Sequence, residues 1–249
     1  VVAGPDDDQA TGWRLALPPP RRGALRDYRV AAWLDDPACP VDDAVRARLE
    51  AAVEALAKAG VRVDVRARPV EFAEAYRDFL SLLLPETMAG APDAVVAALA
   101  DAAERLGPDD DDLQARLTRF ATQSHRDWLR AHEKRQQYRA RWAAFFREHD
   151  LLLCPVTPVT AIPHCHDGNV LTRTMTVNGR PRPYADQLAW VGIVGMAYLP
   201  ATVAPAGRTP AGLPVGVQIV GPYLEDRTPL DFARRLGEVA GGFEAPPGY

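Results

Sequence analysis

The stretch from Arg29 to Val65 constrains the fold more than any other part of the chain. Arg29-Val30-Ala31-Ala32-Trp33-Leu34 is a short, mostly apolar run without alternation. That is the pattern of a strand covered on both faces. Asp42 and Asp43 then open a segment in which Val45, Leu49, Val53 and Leu56 recur at helical spacing, and Gly60 closes it. Val61, Val63 and Val65 alternate with polar residues and predict a second strand. Strand, helix and strand at these lengths form a βαβ unit, which commits the chain to a sheet packed against helices. With 249 residues, 47% of them hydrophobic, there is enough chain for one large domain or two small ones.

The rest of the chain supplies material for both layers. Residues 5–27 are rich in Pro, Gly and Asp and read as a connector. Residues 70–106 read as helices, with one stripe of Phe72, Tyr76, Phe79 and Leu83 and another of Val95, Leu99, Ala102 and Leu106. The acidic run Asp109-Asp110-Asp111-Asp112 suits a solvated turn before a helix N-terminus. One long helix is predicted from Leu113 to Arg147, with Leu117, Phe120, Ser124, Trp128, Ala131, Tyr138, Trp142 and Phe145 near one face. Leu151-Leu152-Leu153-Cys154-Pro155 reads as a buried strand. Residues 155–187 are irregular and Pro-rich, and loops of that length usually carry function. Two further strands are expected at 201–204 and 215–220. A closing helix from Thr228 to Val239 should turn Leu230, Ala233, Leu236 and Val239 inward.

Composition excludes several classes of function. A net charge of -4 argues against a nucleic-acid partner. Cys39, Cys154 and Cys165 form no disulfide framework, which points to a reducing cytoplasm. No run approaches the apolar length that spans a bilayer, and the chain does not open on a signal peptide. Val1-Val2-Ala3-Gly4-Pro5-Asp6 reads like the end of a helix entering a loop, so the numbering is expected to start inside a longer protein.

Catalytic chemistry is conspicuous by what is missing. The only serines are Ser81 and Ser124, and neither lies in a Gly-rich turn that would expose a nucleophilic hydroxyl. His164-Cys165-His166-Asp167 has metal-binding residue types, but adjacent ligands rarely close a tetrahedral site, and no matching partner motif exists. It reads as a polar loop near a binding surface, with no metal and no cofactor expected. Cys154 ends an apolar strand and reads as an inert small hydrophobe.

Several stretches, in order, resemble the amidase-signature family and its bacterial amidases. They are Arg126-Asp127-Trp128-Leu129, Trp142 through Phe146, His149 through Pro155, Thr157-Pro158 through Pro163-His164, Val177-Asn178-Gly179, Pro183-Tyr184 and Trp190. Leu199-Pro200-Ala201-Thr202-Val203-Ala204-Pro205 follows, and Gly212-Leu213-Pro214-Val215-Gly216-Val217-Gln218-Ile219-Val220-Gly221-Pro222 is the most specific piece. Asp226-Arg227, Gly241-Gly242-Phe243 and the closing Pro246-Pro247-Gly248-Tyr249 complete the pattern, and Val2-Ala3-Gly4-Pro5-Asp6 resembles the segment after the family's signature region.

The resemblance implies an α/β fold, a mixed β-sheet flanked by helices, with residues 1–249 as the C-terminal portion of one amidase-signature domain. It implies hydrolysis of a carboxamide by a nucleophilic serine, a second serine with a cis peptide bond and a lysine base. Those residues and the Gly-rich oxyanion loop would precede Val1, so no catalytic residue is assigned here and the chain alone is expected to be inactive. Ligands of open α/β sheets bind beyond the carboxyl ends of strands. By that analogy and the resemblance, the loop after Cys154 covers the acyl part of the substrate. Thr157 would offer a hydroxyl, and Pro155, Pro158 and Ile162 would wall the pocket. Gly195 and Tyr198 stand where the wider family often has Asn and Gly. Two readings of Tyr198 stay open: it narrows the acyl pocket, or it packs in the core beside Trp190. The expected partners are a small-molecule amide, the absent N-terminal half and a second copy of the chain as a homodimer, with no nucleic acid and no membrane. Two other readings compete: an A-subunit-like component of a tRNA-dependent amidotransferase, and a non-catalytic binding fragment.

Overall fold

The βαβ unit forms where its pattern places it. Strand β1 (Arg29–Ala32) leads through helix α1 (Asp43–Lys58) to β2 (Arg62–Asp64), and the strands pair in parallel with Arg29 opposite Arg62. Asp42 caps α1 by accepting from the Ala44 N–H, and Gly60 leaves the helix with φ of 84°. Val45, Leu49 and Leu56 are buried, while Ala52 takes the fully buried place beside the partly buried Val53. β2 stops short of Val65, which is 57% exposed, because this strand is an edge of the sheet. The computed structural model describes residues 4–166 and 172–245. The helix-end reading of Val1-Val2-Ala3, Asp167 of the His-Cys-His-Asp run and the closing Pro246-Pro247-Gly248-Tyr249 lie outside the described residues.

Strand β3 (Leu151–Pro155) lies parallel to β1 and is buried along its whole length, as an uninterrupted apolar run requires. On its other side the sheet turns antiparallel. β7 (Pro214–Val220) pairs with β3, and β6 (Ala201–Arg208) forms the far edge, giving the order β2-β1-β3-β7-β6. The sheet is therefore mixed, as expected. Val215, Val217 and Ile219 are buried in β7. A Cβ on Gly216 would stand 2.6 Å from Cγ1 of Val203 on the neighbouring strand, so glycine there admits close approach of that side chain.

Helices α2 (Phe72–Met88), α3 (Asp93–Glu104), α4 (Leu113–Ala121), α5 (His125–Glu148), α6 (Ala189–Gly195) and α7 (Arg227–Ala240) flank the sheet. Trp33, Phe72 and Trp190 meet edge to face, with ring centroids 4.7 to 5.6 Å apart. Gly192 of α6 lies against the Phe79 ring of α2, where a Cβ would collide.

Four expectations change. The predicted helix from 113 to 147 is two helices, because Ser124 caps α5 by accepting from the Asp127 N–H at 3.1 Å. A serine offers the backbone this alternative to continued helix. The second stripe of residues 70–106 is not a buried face: Val95 and Val96 are 45% and 40% exposed, and no residue of α3 is buried. In α7 Leu236 and the partly buried Ala233 turn inward as expected, but Phe232 takes the second fully buried place, while Leu230 is 57% and Val239 39% exposed. Phe232 lies one turn before Leu236, whereas Leu230 lies six residues away on another face. Finally, the irregular region contains a hairpin, β4 (Thr174–Val177) and β5 (Arg180–Pro183), turned by Asn178 and Gly179 at φ of 49° and 75°.

Asp150 stands fully buried just before β3. Its carboxylate accepts from Arg22 Nε at 2.9 Å, Arg29 Nη2 at 3.1 Å and the Arg29 N–H at 2.9 Å. Burial opposes the charge, but the hydrogen bonds from Arg22 and Arg29 outweigh it and hold the carboxyl at about 2. A folded pKa below the unfolded one means stability fully present above the unfolded value, about 3.9, and lost as pH falls through the folded one. Urea titrations of the protein should show about 2 kcal/mol of stability disappearing between roughly pH 5 and pH 2. Asp150→Asn should flatten that part of the profile and lower stability at neutral pH; an unchanged acid limb would refute the assignment. Val217→Asp would bury an unpaired charge in an interior strand, and the expected loss is several kcal/mol. A soluble variant with the parent's melting curve would count against it.

Candidate functional site

Pro155 ends β3, and its chain direction carries residues 156–163 over the carboxyl end of that strand. The loop is pinned at two points. The Thr157 hydroxyl donates to the Val159 carbonyl at 2.7 Å, and the Pro158 carbonyl accepts from the Asp42 N–H at 2.8 Å. The first contact spends the Thr157 proton inside the loop and leaves its oxygen as an acceptor. Pro155 and Pro158 are buried behind the loop, while Thr157 and Ile162 are half-buried and face a concavity of about 420 Å3 that Gln187, Val203 and Gly216 also line. A larger groove of about 790 Å3 shares Val159 to Ile162 and adds His164, Cys165, His166 and Tyr184. Among the described residues, no three His, Cys, Asp or Glu side chains converge to hold a metal ion.

Tyr198 is not part of this arrangement. Ala201, just after it, pairs with Val220, which pairs with Leu152 near the start of β3, whereas Pro155 pairs with Val217 at the other end. Tyr198 thus lies at the end of the sheet opposite the loop. It is not in the core beside Trp190 either. Trp190 is fully buried against Trp33 and Phe72, while Tyr198 is 44% exposed. Its ring instead lies 4.8 Å from the Arg135 guanidinium and 5.3 Å from that of Arg139.

The sequence reading missed a second cavity, of about 290 Å3, between α2, α4 and β5. Tyr76, Leu80, Phe120, Arg182 and Asp186 line it. Asp186 is 4% exposed and bound by Arg182 through Nε at 2.8 Å and Nη2 at 2.6 Å; Arg182 Nη2 also donates to the Ala38 carbonyl at 2.7 Å. Burial pushes the Asp186 carboxyl up, against the opposing pull of Arg182. Burial and the charge of Asp186 likewise raise the Tyr76 phenol, whose hydroxyl donates to the Ala185 carbonyl at 2.9 Å. The residues that could have signalled the cavity are Arg182 and Asp186, an opposite-charge pair four apart in an otherwise irregular segment. One 3-10 turn, Tyr184–Leu188, separates the three spaces. It presents Tyr184 to the large groove, Asp186 to the cavity between α2, α4 and β5, and Gln187 to the concavity under the loop.

The serines, the lysines and the two buried cysteines are committed elsewhere. The Ser81 hydroxyl donates to the Asp78 carbonyl at 2.9 Å within α2, and the Ser124 hydroxyl donates to Asp127 Oδ2 at 2.6 Å while capping α5. Lys134 is held by Glu74 at 2.9 Å and Asp78 at 2.6 Å, carboxylates that keep it protonated against the effect of burial. Lys58 pairs with Glu54 at 2.8 Å on the surface of α1. Burial pushes the Cys154 thiol to about 12, and likewise that of Cys39 to about 12, so neither is a thiolate at neutral pH.

Removing Arg182 would leave Asp186 buried and uncompensated. Arg182→Gln is expected to cost about 3 kcal/mol in denaturant unfolding. Adding Asp186→Asn to that variant should restore part of the loss, and strict additivity of the two substitutions would rule out the coupling.

The family model described as Amidase matches residues 1–230. The A subunit of glutamyl-tRNA(Gln) amidotransferase from Exiguobacterium sp. is 30% identical over 119 residues, which are 48% of this chain and 22% of that protein. Fatty-acid amide hydrolase 2-A of Danio rerio is 41% identical over 58 residues, 23% of this chain and 11% of that protein. The chain spans about a fifth of the length of the curated amidotransferase relatives it matches. Among solved structures, the A subunit of glutamyl-tRNA(Gln) amidotransferase from Thermotoga maritima superposes with a TM-score of 0.62 at 17% identity, over 96% of this chain and 48% of that one. A 6-aminohexanoate cyclic dimer hydrolase complexed with substrate superposes at 0.59 with 22% identity, over 90% of this chain and 49% of that one. At these identities the superpositions bear on the fold.

Proposed function

The chain belongs to the amidase family, and from that premise we propose that it forms the substrate-side wall of an enzyme that hydrolyses carboxamides to a carboxylate and ammonia or an amine. The loop 156–163 lies over the acyl part of the substrate, with Ile162 and the buried Pro155 and Pro158 giving it shape and Thr157 an acceptor oxygen. The nucleophilic serine, its partner serine and the lysine base come from residues outside these 249, so the chain alone does not turn over amides. One observation carries this reading: both serines and both lysines are engaged, Ser81 with a helix carbonyl, Ser124 with the carboxylate and N–H of Asp127 as a helix cap, and the lysines in ion pairs. An activated serine needs a base beside it and a free hydroxyl oxygen to attack; the Ser81 hydroxyl is bonded to a helix carbonyl, and Ser124, although it donates to the Asp127 carboxylate, uses its oxygen to accept the Asp127 N–H as the cap of α5.

A second reading is that the chain belongs to the A subunit of a tRNA-dependent amidotransferase. The sequence likeness to the A subunits of Exiguobacterium sp. and of Brevibacillus brevis favours it. Among the described residues no helix is long and apolar enough to cross a membrane.

The test is labelling with a fluorophosphonate probe and assay of short aliphatic and aryl amides. The expected result is no label and no turnover above background. Turnover abolished by Ser81→Ala or Ser124→Ala would overturn the proposal, because it would place the nucleophile within this chain.

A further inference from the structure

At the end of the sheet that carries Tyr198, a groove of about 490 Å3 runs between α5 and the turn after β7. Its floor is small and apolar, with Ala140 and Ala143 of α5 and Ala197 after α6. Arg139 and Arg147 line it from α5, about two helical turns apart on either side of Ala143. Among the described residues neither pairs with a carboxylate; Arg139 Nη1 donates instead to the neutral Gln136 at 2.8 Å. Glu225 also lines the groove, but Arg21 already holds it through Nε at 2.5 Å and Nη2 at 2.7 Å. The lining therefore carries uncompensated positive charge.

That charge is held in place. The Arg139 guanidinium lies between two aromatic rings, 5.3 Å from the centre of Tyr198 and 4.8 Å from that of Tyr223. Beyond Tyr198 lies Arg135, which is 9% exposed and bonded to His132 Nδ1; among the described residues it pairs with no carboxylate and its buried Nε has no partner. Aromatic faces attract a guanidinium but do not neutralise it, so the half-buried Arg139 and the exposed Arg147 keep their charge for a ligand. The groove has the size of a small-molecule site and combines an apolar floor with oriented cations.

We propose that this groove binds a small organic anion: a carboxylate or phosphate head on a flat apolar body. The head sits between Arg139 and Arg147, and the body lies on the alanine floor against Tyr223. Arg139 is the better oriented of the two cations, because its aromatic neighbours fix the guanidinium before the ligand arrives.

Isothermal titration calorimetry on the purified protein, with phenyl phosphate, benzoate, inorganic phosphate and benzyl alcohol as probes, separates the parts of this proposal. Phenyl phosphate or benzoate should bind saturably, and benzyl alcohol should not. Arg139→Gln and Arg147→Gln should each weaken binding roughly tenfold, and added salt should weaken it in the parent. Tyr223→Leu should weaken phenyl phosphate more than inorganic phosphate. Circular dichroism melts of Arg147→Gln and Tyr223→Leu should stay close to the parent, and Arg139→Gln, which gives up its contacts with the Tyr198 and Tyr223 rings, should lower the midpoint by no more than a few degrees, leaving all three variants folded at the titration temperature. No saturable binding of either aromatic anion at millimolar concentration would overturn the proposal. So would equal affinity in the parent and both arginine variants, or inorganic phosphate binding as tightly as phenyl phosphate.

Discussion

The assembly of the sheet turns on one buried carboxylate. Asp150 gives its N–H to the Arg29 carbonyl at 2.7 Å and accepts the Arg29 N–H on its side chain at 2.9 Å, so it extends the β1–β3 pairing by one residue with a side chain in place of a backbone oxygen. A carboxylate buried this deeply would be strongly destabilising alone. Arg22 and Arg29 bind it, and Arg21 approaches to 3.6 Å. Arg21 reaches further, donating to the Phe146 and His149 carbonyls at the end of α5, where helical acceptors lack partners. One cluster thus joins the connector at residues 21 and 22, the roots of β1 and β3, the end of α5 and, through Glu225, the approach to α7. It also fixes where β3 begins, and so where Pro155 delivers the loop that overlies the candidate site.

The opposite end of β3 is fastened by a different device. Gln218 is 4% exposed at the centre of β7, and its amide nitrogen lies 3.1 Å from Cys154 Sγ, 3.4 Å from the Pro155 carbonyl and 3.5 Å from the Trp190 carbonyl. A buried amide stays only where its donors are used. Here they tie α6 to the sheet just where β3 ends. The 3-10 turn that divides the three concavities runs straight into α6. Tyr184, Asp186 and Gln187 are therefore set by a helix anchored in the core, although the segment before them is irregular.

Much of the frame was legible because it follows from periodicity. The βαβ unit, the buried β3 and the β-branched β7 are each dictated by local pattern and burial. The α4–α5 break was not, because the apolar spacing continues across it and only the capping geometry of Ser124 interrupts the backbone. The hairpin at 174–183 carried its Asn178-Gly179 turn signal in plain view, but Pro181 and Pro183 disguised the second strand. Of the expected site residues, Thr157 and Ile162 share one concavity because they are neighbours on one loop, while Pro155 at the end of β3 and Pro158 are buried and do not line it. The Tyr76–Arg182–Asp186 cavity joins segments more than a hundred residues apart, and no local pattern announces such a meeting.

Tyr198 shows how a single residue read from family position can mislead. Its φ is 60°, a left-handed conformation that suits the glycine often found there and costs a bulky residue on the order of 1 kcal/mol or more. A tyrosine kept in such a place needs a compensating interaction. The loop at Pro155 offers none, being at the far end of the sheet. The two guanidiniums do: cation–π contact is worth about 0.5–1 kcal/mol for each exposed pair and more where water is excluded. Arg135 is so placed that without the ring its buried charge would lose one of its two aromatic covers, Trp128 being the other. The backbone strain and the buried arginine, whose one side-chain hydrogen bond goes to His132, are thus each made tolerable by the other. That mutual dependence explains why a tyrosine can stand where the turn geometry alone favours glycine.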